Sequence, residues 1–141
     1  MSEETKDNIL ESFVRAANKY DFELDISLLV NGAIVTGTLI SASNYFEALS
    51  ESFKDGSDVA QQLGDMLTES GEAAGSDNSS EVHYIHLKDT GIYCGDNKPT
   101  PSKGKIIWRG KLQEVDSFFL GKISETKSKS SSSASSNSKN S

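Results

Sequence analysis

Residues 22–41 read FELDISLLVNGAIVTGTLIS. In its first half apolar residues alternate with polar ones, which is typical of a strand with one buried face. Asn31-Gly32 follows, and this pair favours the type I′ turn of a β-hairpin because both central positions need a positive φ. Residues 33–41 then alternate small, β-branched and aliphatic side chains and predict the returning strand. The stretch therefore predicts a hairpin at the centre of the fold.

Gly37 lies inside the returning strand. A glycine there weakens the ladder locally and indicates a bulge, a sharp bend or a close backbone approach. Short antiparallel strands with such a bend usually curl into a small barrel or a strongly twisted sheet. The strand order and the bend are similar to those of Sm-like small barrels, a likeness that says little about function.

Helices are predicted on both sides of the hairpin. Residues 5–20 carry apolar residues on one face, with Thr5 or Asp7 as the N-cap. Residues 44–53 and 58–69 also have a helical period, and Asn44 with Glu47 resembles a capping box. These two helices form an insertion after the hairpin.

Three more strands are predicted after the insertion. They cover residues 81–93, with a possible break at Asp89–Gly91, and then residues 105–112 and 115–123 as a final strand pair. Residues 95–104 contain Pro99 and Pro101 and exclude regular structure. The predicted core consists of Phe13, Leu24, Ile26, Leu28, Ile34, Ile40, Ile106, Trp108 and Leu112.

The predicted fold class is α+β. An N-terminal helix accompanies a small, strongly twisted antiparallel sheet, or an Sm-like or SH3-like barrel, with a helical insertion. One domain covers residues 5–124 of the 141, with the insertion at about 44–69 and a flexible acidic loop at 70–81. Residues 1–4 and the Ser/Lys-rich tail 125–141 are expected to be disordered.

The composition favours a binding protein in a reducing compartment. The net charge is −7, and Cys94 is the single cysteine, which excludes an internal disulfide. The N-terminus lacks the pattern of a signal peptide, and no apolar run is long enough for a membrane span. We therefore expect a cytoplasmic protein, and the acidic balance argues against sequence-independent nucleic-acid binding.

No residue pattern in the chain predicts catalysis, a cofactor or a metal. His83 and His86 lie at an odd spacing, which in a strand points their side chains to opposite faces. Cys94 has no local signature of a nucleophile, and the many carboxylates are typical of a solvated face. We expect a protein that is not an enzyme and that has no catalytic, cofactor-binding or metal-binding residues.

The basic stretch at residues 103–111 contains Trp108. Such a stretch could stack on single-stranded nucleic acid, so a small nucleic-acid-binding barrel is the alternative function. The simpler interpretation places Ile106, Trp108 and Leu112 on one core face of a strand.

Three blocks of the chain look familiar together: LDISLLVNGAIVTGTLISASNYFEALS at residues 24–50, VHYIHLKDTGIYCGDNK at 82–98, and TPSKGKIIWRGKLQEVDSFFLGKIS at 100–124. With the Ser/Lys tail that follows, they make the chain similar to the GvpU family of gas vesicle accessory proteins. The resemblance covers about residues 6–129, and VNGAIVTGTLIS and WRGKLQEVDSFFLGKI are its most specific parts.

The resemblance implies a cytoplasmic, non-enzymatic protein, associated with gas vesicles, that controls how they assemble or cluster. Its expected partners are the gas vesicle shell or other gas vesicle proteins, and further copies of itself, as a homo-oligomer or an open assembly. Neither nucleic acid nor a membrane is an expected partner. The resemblance carries over no binding residues, so the interaction sites must come from the residues themselves.

Charge is unevenly distributed along the chain, which suggests an interaction surface. The insertion is acidic and the C-terminal third is basic, and opposite patches on one molecule permit head-to-tail association. If apolar surface drives assembly instead, the last strand offers candidates on the side opposite Phe119. The candidate interaction residues are Asp55, Asp58 and Asp65 on the acidic side, Lys103, Lys105, Arg109 and Lys111 on the basic side, and Phe118 and Leu120 on the last strand.

Overall fold

The computed structural model describes residues 7–76, 82–95, 98–101 and 105–123. The elements in chain order are α1 (Asn8–Tyr20), β1 (Leu24–Val30), β2 (Ala33–Ile40), α2 (Ala42–Glu51), α3 (Asp58–Ser76), β3 (Tyr84–Tyr93), β4 (Ile106–Lys111) and β5 (Val115–Leu120). The five strands form one antiparallel sheet in the order β4-β3-β2-β1-β5. The predicted α+β class with an N-terminal helix is confirmed, in its open-sheet form.

The predicted hairpin joins β1 to β2 at Asn31-Gly32. The two residues have φ values of 52° and 87°, as a type I′ turn requires. Pairing runs from Val30 and Ala33 at the turn to Leu24 and Leu39 at the open end. The turn sequence therefore fixes the register of the central strands.

Gly37 lies where β2 and β3 approach closely. A β-carbon on Gly37 would lie 2.8 Å from the carbonyl oxygen of Lys88 and 3.0 Å from Thr90 Oγ1. The register between the strands shifts next to Gly37, and Asp89 has a positive φ of 52°. The predicted bulge or close approach is confirmed. A break at Asp89–Gly91 is wrong, because β3 continues through this irregularity.

The sheet must curl, because its two edge strands are joined by a very short connection. The 3₁₀ turn Leu112–Glu114 links the end of β4 to the start of β5. In a flat sheet the edges would lie about 19 Å apart, whereas four residue steps span at most about 14 Å. The predicted final strand pair is wrong: β4 pairs with β3, and β5 pairs with β1.

Helix α1 packs against the core through a narrow stripe along one of its faces. Asp7 is the N-cap, and its carboxylate accepts hydrogen bonds from the amides of Ile9 and Leu10 at 2.9 and 3.2 Å. Leu10, Val14 and Ala17 are buried, whereas Ile9 is 63% exposed. The helix therefore presents a narrower apolar stripe to the sheet than the sequence predicts.

The predicted core is confirmed in part. Ile26, Leu28, Ile40 and Leu112 are buried, and Phe13, Leu24 and Trp108 are partly buried against the core. Ile34 is half-buried. Ile106, on an edge strand, is exposed, which corrects its predicted burial.

The helical insertion differs from its predicted boundaries at both ends. Helix α2 begins after Ser41, whose hydroxyl accepts from the Asn44 amide at 3.0 Å, so Asn44 is not the cap. Helix α3 runs to Ser76, so residues 70–76 are helical where a loop was predicted. The rest of that predicted loop, residues 77–81, and both predicted disordered ends, residues 1–4 and 125–141, lie outside the described residues.

Candidate interaction surface

Helix α2 is attached to the outer face of the sheet through aromatic rings. The Tyr45 and Phe46 rings have centroids 4.8 and 6.0 Å from the His86 ring. The Arg109 guanidinium lies 3.8 Å from the Tyr84 ring centroid and 5.5 Å from that of Phe46. Arg109 thus joins β4 to the insertion.

His86 is the buried member of this attachment. Burial, with a smaller contribution from the Arg109 charge, lowers the pKa of His86 from 6.5 to about 3. The neutral ring accepts a hydrogen bond at Nε2 from Arg109 Nε, at 3.2 Å. His83, three residues earlier, is exposed, in agreement with the predicted opposite orientation of the two histidines.

Helices α2 and α3 pack at close range through two glycines. A β-carbon on Gly64 would lie 3.2 Å from Phe53 Cβ, and one on Gly71 would lie 3.1 Å from Phe46 Cβ. Each glycine costs about 1 kcal/mol of helix stability relative to alanine. The close approach of the two helices provides the reason for glycine at both positions.

The outer surface of the insertion is acidic and partly apolar. Asp55, Asp58 and Asp65, the predicted acidic residues, are all exposed. Leu63 and Met66 on α3 are also exposed, by 41% and 53%. Asp55 thus lies in the turn before α3, and Asp58 and Asp65 lie on α3 beside these apolar residues.

The three predicted basic residues that the structure describes differ in their surroundings. Lys105 and Lys111 are exposed near the two ends of β4, but Arg109 is engaged with the Tyr84 and Phe46 rings. Lys103 lies outside the described residues. Arg109 therefore serves the attachment of the insertion, a role that its place in a basic run did not predict.

The two residues of the predicted apolar pair on the last strand, Phe118 and Leu120, differ in exposure. Phe118 pairs with the buried Leu28 and packs edge-on against the Phe13 ring, with centroids 5.9 Å apart. Phe118 is therefore partly buried within the chain and presents less surface to a partner than its neighbours do. Phe119 and Leu120 are exposed by 51% and 56% and are the accessible apolar residues of β5.

The chain leaves β5 by crossing the outer face of the hairpin. The hydroxyl of Ser27 donates to the carbonyl of Gly121 at 2.8 Å, and that of Thr36 accepts from the Ile123 amide at 2.8 Å. The two hydroxyls also bond each other at 2.8 Å. These bonds explain why two polar side chains are buried on the central strands, and they end β5 before the predicted Ile123.

Trp108 does not form a stacking platform. It is partly buried against the core, and a β-carbon on Gly110 would overlap its ring. It is also the sole aromatic residue of β4. The geometry therefore gives no support to nucleic-acid stacking on this strand.

The part of the chain that the structure describes carries shallow surface grooves. One groove, of about 340 Å³, lies between α2 and the sheet and is lined by Glu47, Glu51, Lys88 and Ile107, among others. Its volume is at the lower limit of small-molecule sites. Among the described residues no group of three or more His, Cys, Asp or Glu side chains could hold a metal ion. None of the described helices is long and apolar enough to cross a membrane.

Fold and surface together define a small α+β protein whose curled antiparallel sheet carries an exposed acidic helical hairpin. The family model described as "Gas vesicle protein GvpU-like" matches residues 7–123. The chain therefore belongs to the GvpU-like family and is a gas-vesicle-related protein. No curated protein and no solved structure matches the chain.

Proposed function

We propose that this protein modulates the assembly or clustering of gas vesicles in the cytoplasm, through protein–protein contacts and self-association and without catalysis. The observation that carries the proposal is the acidic helical insertion, exposed in a chain of a gas vesicle family. A compact sheet that presents a charged helical hairpin is suited to hold a binding surface. Its expected partners are the vesicle shell, other gas vesicle proteins and further copies of the chain.

Charge gives the first route to self-association. Asp55, Asp58 and Asp65 are exposed on the insertion, and Lys105, just before β4, and Lys111, at its end, are also exposed. Contacts between these two regions of different copies would be head-to-tail, and such contacts form open assemblies when they do not close into a ring. Open assemblies of a shell-bound protein would draw vesicles together.

The test is the turbidity and sedimentation of purified gas vesicles mixed with the full chain over a salt series. Raising the salt to about 0.5 M shortens the screening length below about 5 Å, so clustering should weaken. The triple variant Asp55→Asn, Asp58→Asn, Asp65→Asn should cluster vesicles poorly already at low salt. A control that removes the same charge elsewhere, Asp89→Asn, Glu114→Gln, Asp116→Asn, should retain clustering.

The same salt series also tests a second route to self-association, through apolar surface. If clustering strengthens with salt, apolar surface holds the copies together, and the exposed residues of β5 are the candidates. Phe119→Ser with Leu120→Ser should then abolish clustering. If the full chain leaves vesicles dispersed at every salt concentration, the proposed function is wrong.

A further inference from the structure

Helix α3 presents an apolar stripe that no described element covers. Val59, Leu63 and Met66, the α3 stripe, recur at i, i+4 and i+7 and are 65%, 41% and 53% exposed. This spacing is the one by which an amphipathic helix contacts a partner. Single exposed apolar residues need no explanation, but three on one helix face form a continuous surface.

The packing of α3 keeps this stripe outward. Gly71 faces Phe46 of α2, and Gly64 faces Ser50 of α2 and Phe53 just after it. At about 100° per residue, this glycine row lies roughly a third of a turn from the α3 stripe. Turning the stripe inward would break the close helix–helix contact, so the stripe is a fixed feature of the surface.

Carboxylates border the stripe on its other side. The acidic row consists of Asp58, Asp65, Glu69 and Glu72, all exposed on α3. The sequence has no lysine or arginine between Lys54 and Lys88. Among the described residues, the carboxylates that form ion pairs are Glu11, Glu23 and Glu51. None of these belongs to the acidic row. The helix therefore shows an apolar stripe and a negative row side by side.

We propose that α3 docks a basic amphipathic helix of another protein. The apolar face of that helix would cover the α3 stripe, and its Lys or Arg residues would meet the acidic row. A second copy of α3 fits less well, because it would set carboxylates against carboxylates. The chain's own residues 124–141 carry lysines, but Ala134 is their only apolar residue, so they could not cover the stripe. The docked helix rests on the proposed function in one respect only: both treat the insertion as a binding surface.

The probe is a short, fluorescently labelled helical peptide of leucine and lysine, with leucines at i, i+3, i+4 and i+7. Fluorescence anisotropy should show binding to the full chain, and Leu63→Ser with Met66→Ser should weaken it about tenfold or more. The matched control is Ile9→Ser, which removes a side chain of similar exposure, 63%, from α1. This control should bind as the unchanged chain does, and thermal melts should show that all variants fold.

Charge and pattern are tested with altered peptides and variants. Asp65→Asn with Glu69→Gln should weaken binding and flatten its dependence on salt. A scrambled peptide of the same composition, and one with glutamate in place of lysine, should not bind. Equal binding of these peptides, or unchanged binding by the Leu63/Met66 variant, would overturn the proposal.

Two other outcomes would assign the stripe to a different occupant. A dimer of the full chain that the Leu63/Met66 variant disrupts would identify a second copy, and binding of anionic lipid vesicles through the stripe would identify a membrane. Either result overturns the proposal. The peptide titration contains no gas vesicles, so failure of peptide binding with vesicle clustering intact refutes the docked helix and leaves the proposed function standing.

Discussion

Helices α1 and α3 are both amphipathic, but they use their apolar faces in opposite ways. In α1, Leu10 and Val14 are buried against the sheet, whereas in α3 Leu63 and Met66 face solvent. The difference lies in the residues that contact the neighbouring element. Helix α1 meets the sheet with aliphatic side chains, and α3 meets α2 with glycines. An apolar stripe therefore identifies a helix, but the packing decides whether that stripe belongs to the core or to the surface.

The largest effect should come from the buried stripe. Leu10→Ala should lower the free energy of unfolding by about 2–5 kcal/mol, because it removes buried apolar contacts and leaves a cavity. Ile9→Ala, at the preceding position of the same helix but exposed, should change it by less than about 0.5 kcal/mol. Urea denaturation of both variants gives the difference, and equal effects would show that α1 is wrongly placed on the sheet.

The glycine contact between α2 and α3 should give the next effect. Gly64→Leu forces a large side chain against Phe53. It should destabilise the packing of α2 against α3 by about 1–3 kcal/mol. Amide hydrogen exchange should speed up in α2 and α3 and stay nearly unchanged in the central strands. Gln62→Leu adds the same side chain on an exposed face of α3 and should leave exchange as it is. If both variants behave alike, α3 is not packed through its glycines.

Acid should weaken the attachment of the insertion through His86. Its pKa in the folded protein, about 3, lies below the ordinary value of 6.5, so between these values the unfolded chain binds a proton that the folded chain does not. The stability from His86 is complete above about pH 6.5 and is lost as the pH falls towards 3, by up to about 1.4 kcal/mol per pH unit. His86→Gln should remove this part of the slope in denaturation at several pH values. His83→Gln, at an exposed histidine, should retain it.

The smallest effect on stability should come from the α3 stripe itself. Leu63→Ser should shift the free energy of unfolding by about 1 kcal/mol or less, because 41% of the residue's surface is already exposed. Thermal unfolding beside Leu10→Ala makes the comparison direct. A loss as large as that of Leu10→Ala would place Leu63 in the core.

The sequence predicts the centre of the fold better than its margins. The Asn31-Gly32 turn and the close approach at Gly37 depend on local backbone conformation, which residue type controls. The sheet order was not predictable in the same way. The three residues between β4 and β5 look like a hairpin connection, but the curl of the sheet sends the two strands to opposite edges.

The interaction surface was predictable in composition but not in arrangement. The exposed positions of Asp55, Asp58 and Asp65 follow from their charge. The inward turn of Phe118 and the engagement of Arg109 depend on contacts with Phe13 and with Tyr84, which are distant in sequence. Gly64 and Gly71 lie seven residues apart on α3, but the predicted helix ended at residue 69, so Gly71 was assigned to a loop and the close packing of α3 on that side was missed.

The most direct test is hydrogen exchange of the full chain with and without purified gas vesicles, read by mass spectrometry on peptides from α1 and α3. Both helices are amphipathic, so each serves as the control for the other. If the insertion is the binding surface, vesicles should slow exchange in α3 and leave it unchanged in α1. Slowing confined to α1 and the sheet, or no slowing in α3 under conditions in which the chain binds vesicles, would contradict the account.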